Sequence, residues 1–262
     1  MKELISSINL PEGSVSNYPI TQLPNYLSYM NLPTIFDWLA RLEFMRGLPA
    51  VYLVLLTAVI IVITWDWRLA LIALAGQYLV AGLLFADILD PRLAIVKVLV
   101  GLFVCLILAI TAGQVNWGHL PEDVTSVEVA QLEPVRRVQL GPLRVPADVP
   151  FRLFLAAGML LVVLIVAGRP SYHLVAVDES LDYLNLAVYA LVAMGLLGLS
   201  LTTEPLQAGL GALMFLTGFE LFYAVLAQSS TILAALAAVN LVMAVAIAYL
   251  TQARYAFTAM VD

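Results

Sequence analysis

A chain of 262 residues that is 63% hydrophobic and only 11% charged is too apolar for a water-soluble domain, which is roughly half apolar and a quarter charged. Its mean hydropathy of +0.98 implies a surface as apolar as the interior, which lipid accommodates and water does not. The formal net charge of −6 and the absence of any lysine- or arginine-rich stretch exclude a nucleic-acid partner, because phosphate backbones call for a basic patch.

Residues 1–47 precede the first apolar run. The first thirty carry Pro11, Pro19 and Pro24 among scattered polar residues, so no signal peptide is expected and the first spanning helix drives insertion. Residues 31–46, NLPTIFDWLARLEFMR, set Ile35, Phe36, Trp38, Leu39, Leu42 and Met45 among charged neighbours, with Pro33 near the start. That pattern predicts an amphipathic helix lying in the membrane interface. A helix that docks a partner protein is the alternative.

A membrane-crossing helix needs about 20 apolar residues, each adding about 1.5 Å toward a hydrocarbon core about 30 Å thick. Seven runs approach that length: 48–65, 69–88, 92–113, 151–168, 183–203, 206–228 and 231–251. They are too long and continuous for barrel strands, which alternate with period two. Short polar breaks such as WDWR at 65–68 and TTEP at 202–205 force neighbouring helices to run antiparallel. The expected fold is therefore an all-α integral membrane bundle of about seven transmembrane helices. Its parts are an extramembrane or interfacial segment (1–47), a three-helix half (48–113), an extramembrane loop (114–149) and a four-helix half (150–262). Within the loop, a valine-rich stretch broken by Pro134, Gly141, Pro142 and Pro146 reads as a small hairpin or an extended connection. The two halves share an order of helix, tight polar turn, helix with a polar residue near its middle, and further helix. Apart from Lys97, lysine and arginine divide five against six between the two sides, so the positive-inside comparison assigns no orientation.

Chemistry-bearing residues are few. The single cysteine, Cys105, sits in LFVCLILAI and reads as a small buried hydrophobe; alone it makes no internal disulfide and holds no iron–sulfur cluster. His119 and His173 lie in loops, away from the spanning helices that would carry haem ligands. Phosphate-binding, dinucleotide, zinc-protease and nucleophile–histidine–acid signatures are missing. No cofactor or metal is expected, and transport or coupling is favoured over catalysis by the chain itself.

The informative residues are those that interrupt the apolar runs. A charge at the centre of a lone helix costs at least about 2.5–3.5 kcal/mol, so it persists only facing the bundle interior. Glu220, in LMFLTGFELFYAVL, stands about 14 residues into its run and about 12 Å from the far end; it is the chief candidate for proton exchange, with a static interhelical hydrogen bond as the alternative. Lys97, in LAIVKVLVGLF, is about five residues into its run, where its stem can lift the ammonium to the interface; the functional alternative is an ion pair that tunes an internal carboxylate. Gln77 and Asn240 fall near mid-helix, where they glue helices together or hold water in a polar path.

The stretch WRLALIALAGQYLVAGLLFA, followed by LAIVKVLVGLFVCLILAI, resembles the first half of the hydrogenase-4 component E family, through Trp67, Arg68 and Leu69, then Gln77, then Lys97. The later stretch GLLGLSLTTEPLQAGLGALMFLTGFELFYAVL, followed by AAVNLVMAVAIAYL, is similar to that family's C-terminal part. It is similar in turn to the K subunit of NADH–quinone oxidoreductase and the C subunit of Mrp-type antiporters. The resemblance spans roughly 48–113 and 183–254. It implies a small subunit in the membrane arm of a complex-I-like or hydrogenase-type assembly in a prokaryotic cytoplasmic membrane. There it would contribute to proton or sodium movement coupled to electron transfer, beside antiporter-like subunits. It also implies that Glu220 is the ion-exchanging glutamate, with Lys97 as its electrostatic tuner, although Glu220 lies about one turn deeper than the family acid. Asn240 stands where that family carries an acid, which implies that one titratable step is absent or replaced by water. The alternatives are a structural subunit that packs larger partners and a stand-alone small transporter.

Overall fold

The computed structural model describes residues 43–115, 137–140, 143–146, 148–174, 181–227 and 229–255. Seven α-helices dominate it: α1 (Leu48–Ile63), α2 (Trp67–Ile88), α3 (Pro91–Gln114), α4 (Asp148–Ala167), α5 (Tyr183–Ser200), α6 (Pro205–Leu226) and α7 (Ser230–Tyr255). Helices are the outcome that apolar runs this long require, because each satisfies its own backbone groups without water. Six of the helices, α2 to α7, are long and apolar enough to cross a membrane; α1, with 16 residues, is a shorter apolar helix. The chain is thus a multi-pass membrane protein by length and composition. Residues 31–42, most of the expected interfacial helix, lie outside the described residues. Its last residues form a single turn of 3-10 helix, Glu43–Met45. The 114–149 segment contains a hairpin, β1 (Arg137–Leu140) paired antiparallel with β2 (Leu143–Pro146), with Val138 opposite Val145.

Local chemistry sets the helix ends. Gly47 takes φ 73°, a backbone region that favours glycine, and so turns the chain into α1. The Asp66 carboxylate accepts from the Arg68 amide at 2.9 Å, a side-chain cap that brings Trp67 and Arg68 into α2, two residues earlier than hydropathy places its start. Pro91 and Pro205 open α3 and α6, where a missing N–H costs nothing. At its other end α7 runs four residues beyond its apolar run, to Tyr255, whose hydroxyl bonds Glu204.

The tight turns at 64–66, 89–90 and 201–204 make the helices they join antiparallel, and side-chain ties show which termini share an end. At the first end, Arg46 Nε donates to Asp87 Oδ1 at 2.7 Å and the Tyr183 hydroxyl donates to Asp87 Oδ2 at 2.7 Å. These bonds gather the starts of α1 and α5 with the end of α2. At the second end, Gln252 bonds Gln114 at 3.3 Å and Arg254 pairs with Glu204 at 3.8 Å, gathering the ends of α3 and α7 with the start of α6. Helices α1, α2 and α3 form one layer and α5, α6 and α7 a second. Across the layers α1 packs on α5, α2 on α6 and α3 on α7, while α4 lies outside against α1 and α5.

The closest approach is between α5 and α6. A Cβ on Gly195 would come within 2.5 Å of the Phe215 amide nitrogen, and one on Gly211 within 2.6 Å of that of Leu199. Small residues let backbones meet in this way in lipid, where dispersion rather than water drives helix association. The outer surface carries Leu56, Ile72, Phe103, Phe154 and Val242, all exposed. An apolar surface of this extent is far beyond what water tolerates.

Candidate functional site: a buried lysine–glutamate pair

Buried residues on α3 recur as Ala94, Lys97, Gly101, Val104 and Leu108; on α6 as Leu213, Thr217, Glu220 and Ala224; on α7 as Leu233, Ala237, Asn240, Ala244 and Ile247. Each series follows helical spacing of three or four, so each polar residue falls within its helix's inward stripe. Lys97 therefore points into the bundle, not out to where its stem would lift the ammonium to the interface.

The three side chains meet. Lys97 Nζ donates to Glu220 Oε1 at 2.7 Å, and Asn240 Nδ2 donates to the same oxygen at 2.8 Å. Lys97 is 7% exposed, Glu220 and Asn240 1% each. The pair joins the two layers across 123 positions of sequence. Glu220 stands six positions before the end of α6 and Lys97 six after the start of α3, so both lie about 9 Å inside the first end. Desolvating the two charges costs several kcal/mol per ion, and only close geometry with further hydrogen bonds offsets that. The 2.7 Å contact and the Asn240 amide supply both. Asn240 Oδ1 is left with no hydrogen-bond partner among the described residues.

Gln77 is not brought into this cluster. It is fully buried, and both its amide oxygen and its amide nitrogen lack a partner among the described residues. Buried threonines are satisfied locally: the Thr217 hydroxyl donates to the Leu213 carbonyl at 2.8 Å and that of Thr251 to the Ile247 carbonyl at 2.7 Å. Cys105 is a free, buried cysteine. Among the described residues no group of three histidine, cysteine or acidic side chains is placed to hold a metal.

Two polar centres were not singled out from the sequence. Arg152, four residues into α4 and 6% exposed, lies over the Trp65 ring at 4.3 Å and donates to the Val62 and Leu201 carbonyls at 3.3 Å each. These carbonyls belong to the C-terminal ends of α1 and α5, where a cation meets the negative end of each helix dipole. An arginine just inside an apolar run reads as a flanking charge, and only the fold turns it inward. A cleft of about 410 Å³ beside it is lined by Trp65, Arg152, Thr202 and Glu204, and by none of Lys97, Glu220 and Asn240. The second centre is Tyr78, buried on α2 with its hydroxyl unpartnered among the described residues. Tyrosine in an apolar run gives no sequence signal of this kind.

An ammonium and a carboxylate in contact inside a spanning bundle can hold a proton between them, bind or release a small cation by exchange, or lock two layers together. Comparison with family models, curated proteins and solved structures returns no match for the chain.

Proposed function

We propose that the chain is a small seven-span membrane subunit of a complex-I-like or membrane-bound hydrogenase-type assembly in a prokaryotic cytoplasmic membrane. In that assembly it contributes to proton or sodium translocation driven by electron transfer in other subunits. Glu220 is the group that exchanges the ion, Lys97 is the charge that sets its affinity, and Asn240 and Gln77 support a hydrated path. Antiporter-like membrane subunits are the partners. The observation that carries this reading is the 2.7 Å Lys97–Glu220 pair inside the apolar bundle, since intramembrane charges mark ion pathways and a buried ion pair adds little net stability. Support for α1 as the seventh span comes from its placement: Arg46 precedes it at the first end, and the Val62 carbonyl near its close meets Arg152 at the second.

The test is coupled ion movement in vesicles holding the purified assembly. Glu220→Gln is expected to reduce it on the order of a hundredfold, the usual scale for losing a proton-transferring group. Unchanged movement sinks the reading. A mild-detergent purification of the tagged chain should also recover large multi-helix subunits.

One observation favours a second reading, in which the subunit is purely structural. Glu220 is only 1% exposed and its Oε1 already accepts two hydrogen bonds, as a static cross-layer clamp requires. On that reading Lys97→Met/Glu220→Gln assembles normally and moves ions at the wild-type rate.

A further inference from the structure

Helices α2, α3, α7 and α6 pack in a closed ring, each against the next, with α6 returning to α2. Three of them send a polar side chain to the ion-pair site: Lys97 from α3, Glu220 from α6 and Asn240 from α7. The fourth, α2, brings Tyr78. Its side chain is 6% exposed, and its hydroxyl has no hydrogen-bond partner among the described residues. Glu220, Cys105 and Thr217 are among the polar side chains around that hydroxyl, none of them in hydrogen-bond geometry with it.

The sequence makes room for this arrangement. On α3, one turn past Lys97, a Cβ at Gly101 would come within 2.3 Å of the Tyr78 ring, so glycine there lets the ring approach the helix backbone. Tyr78 stands ten positions before the end of α2, about 15 Å inside the first end, whereas Glu220 is about 9 Å inside. Helical side chains lean toward the helix N-terminus, and α2 starts at the second end. Helix α6 starts there too, so both side chains lean the same way, and Tyr78 stands about 6 Å nearer the second end than Glu220. The Thr217 hydroxyl has committed its proton to the Leu213 carbonyl and is left only as an acceptor. Buried hydroxyls are satisfied by protein or by ordered water, and protein supplies no partner here among the described residues.

We propose that Tyr78 is the fourth member of the site and relays protons between Glu220 and the second end, with one water molecule on its hydroxyl bridging to the carboxyl group. This rests on the ion-exchanging role proposed for Glu220. In the relay, the Glu220 O–H bond breaks as its proton joins the bridging water. That water passes one of its own protons to the phenol oxygen, and the phenol O–H bond breaks toward a water on the far side. Each oxygen ends with as many protons as it began with, except that Glu220 has lost one and the far water has gained one. No electrons are transferred.

The experiment is proton flux in vesicles holding the whole assembly, with four proteins compared: wild type, Glu220→Gln, Tyr78→Phe, and a protein with 3-fluorotyrosine at position 78. Fluorotyrosine keeps the shape and the hydroxyl but is the stronger acid. Expected are flux losses on the order of tenfold or more for Tyr78→Phe, a changed rate for fluorotyrosine, and an unchanged Tm for fluorotyrosine. If Glu220→Gln stops flux while Tyr78→Phe and fluorotyrosine run at the wild-type rate, the relay is overturned and the function proposed for Glu220 stands. If Tyr78→Phe loses flux or fails to fold but fluorotyrosine matches tyrosine, Tyr78 only packs and the relay is again overturned. If Glu220→Gln also leaves flux intact, translocation through this site falls, and the relay with it.

Discussion

Lys97 and Glu220 are each tolerable in the bundle only because the other is there. At 2.7 Å and 7% and 1% exposure, neither charge has water to fall back on. Removing one partner strands the other, which costs about 3–5 kcal/mol for buried pairs, whereas replacing both with apolar or neutral groups of similar volume is close to neutral. Lys97→Met and Glu220→Gln should thus each lower stability in detergent by about that amount, and the double substitution should recover most of the loss. A thermal-unfolding series of the four proteins measures this non-additivity. Additive losses would mean that the two residues do not act on each other. Asn240 belongs to the same account, since its amide donates to the oxygen that Lys97 binds. Asn240→Leu should weaken the pair by about the value of a hydrogen bond to a charged group, roughly 1.5–3 kcal/mol, and should cost little in a Glu220→Gln background.

At the scale of helices, the α5–α6 contact decides how the second layer holds together. A Cβ on Gly195 or Gly211 meets backbone atoms at 2.5–2.6 Å, and backbone cannot rotate aside as a side chain can. Gly211→Val must therefore push the two helices apart, with an expected loss of at least about 1–3 kcal/mol, the range for overpacking. Gly158 on α4 has nothing within 4 Å of its added Cβ, so Gly158→Ala should be neutral or stabilising by about 0.5–1 kcal/mol through helix propensity. Comparing the two Tm values checks that the penalty comes from contact and not from losing a glycine. The helices themselves were legible in the sequence to within a few residues, because unbroken apolar runs admit little else. Legible too were Lys97, Glu220, Gln77 and Asn240, since a polar group in such a run stands out. Pairing was legible in part. A lysine inside an apolar run calls for a carboxylate, and Glu220 was the one expected for Lys97, which the 2.7 Å contact matches; that Gln77 meets no described partner depends on how the helices pack around α6. Tyr78 and Arg152 were missed for related reasons. A tyrosine is unremarkable in an apolar segment, and an arginine four residues into α4 looks like a flanking charge until Trp65 and two helix ends enclose it.

At the scale of the whole molecule, the seven described helices alternate between two ends, and α1, at 16 residues, is the shortest of them. At 1.5 Å per residue it is about 24 Å long, shorter than a hydrocarbon core of about 30 Å. Its ends are nonetheless tied where those of a crossing helix would be. Arg46 pairs with Asp87 at the end of α2, and the Val62 carbonyl meets Arg152 near the start of α4. Local thinning of the bilayer and the arginines at each end can absorb a mismatch of a few ångströms. If α1 crosses, residues just before it and just after it face opposite aqueous sides. Cysteine labelling reads this directly once the buried Cys105 is replaced by alanine. Phe44 and Asp90 are exposed at the first end, Asp66 and Thr203 at the second. Cysteines at Phe44 and Asp90 should react with a membrane-impermeant maleimide from one side of sealed vesicles, and those at Asp66 and Thr203 only from the other. Asp66→Cys gives up the cap on Arg68, a cost of about 1 kcal/mol, which the extensive α1–α2 contact can absorb. If Phe44→Cys and Asp66→Cys react from the same side, α1 does not cross. The described helices then give six spans, and the face of α5 that packs on α1 meets a helix lying at the membrane surface.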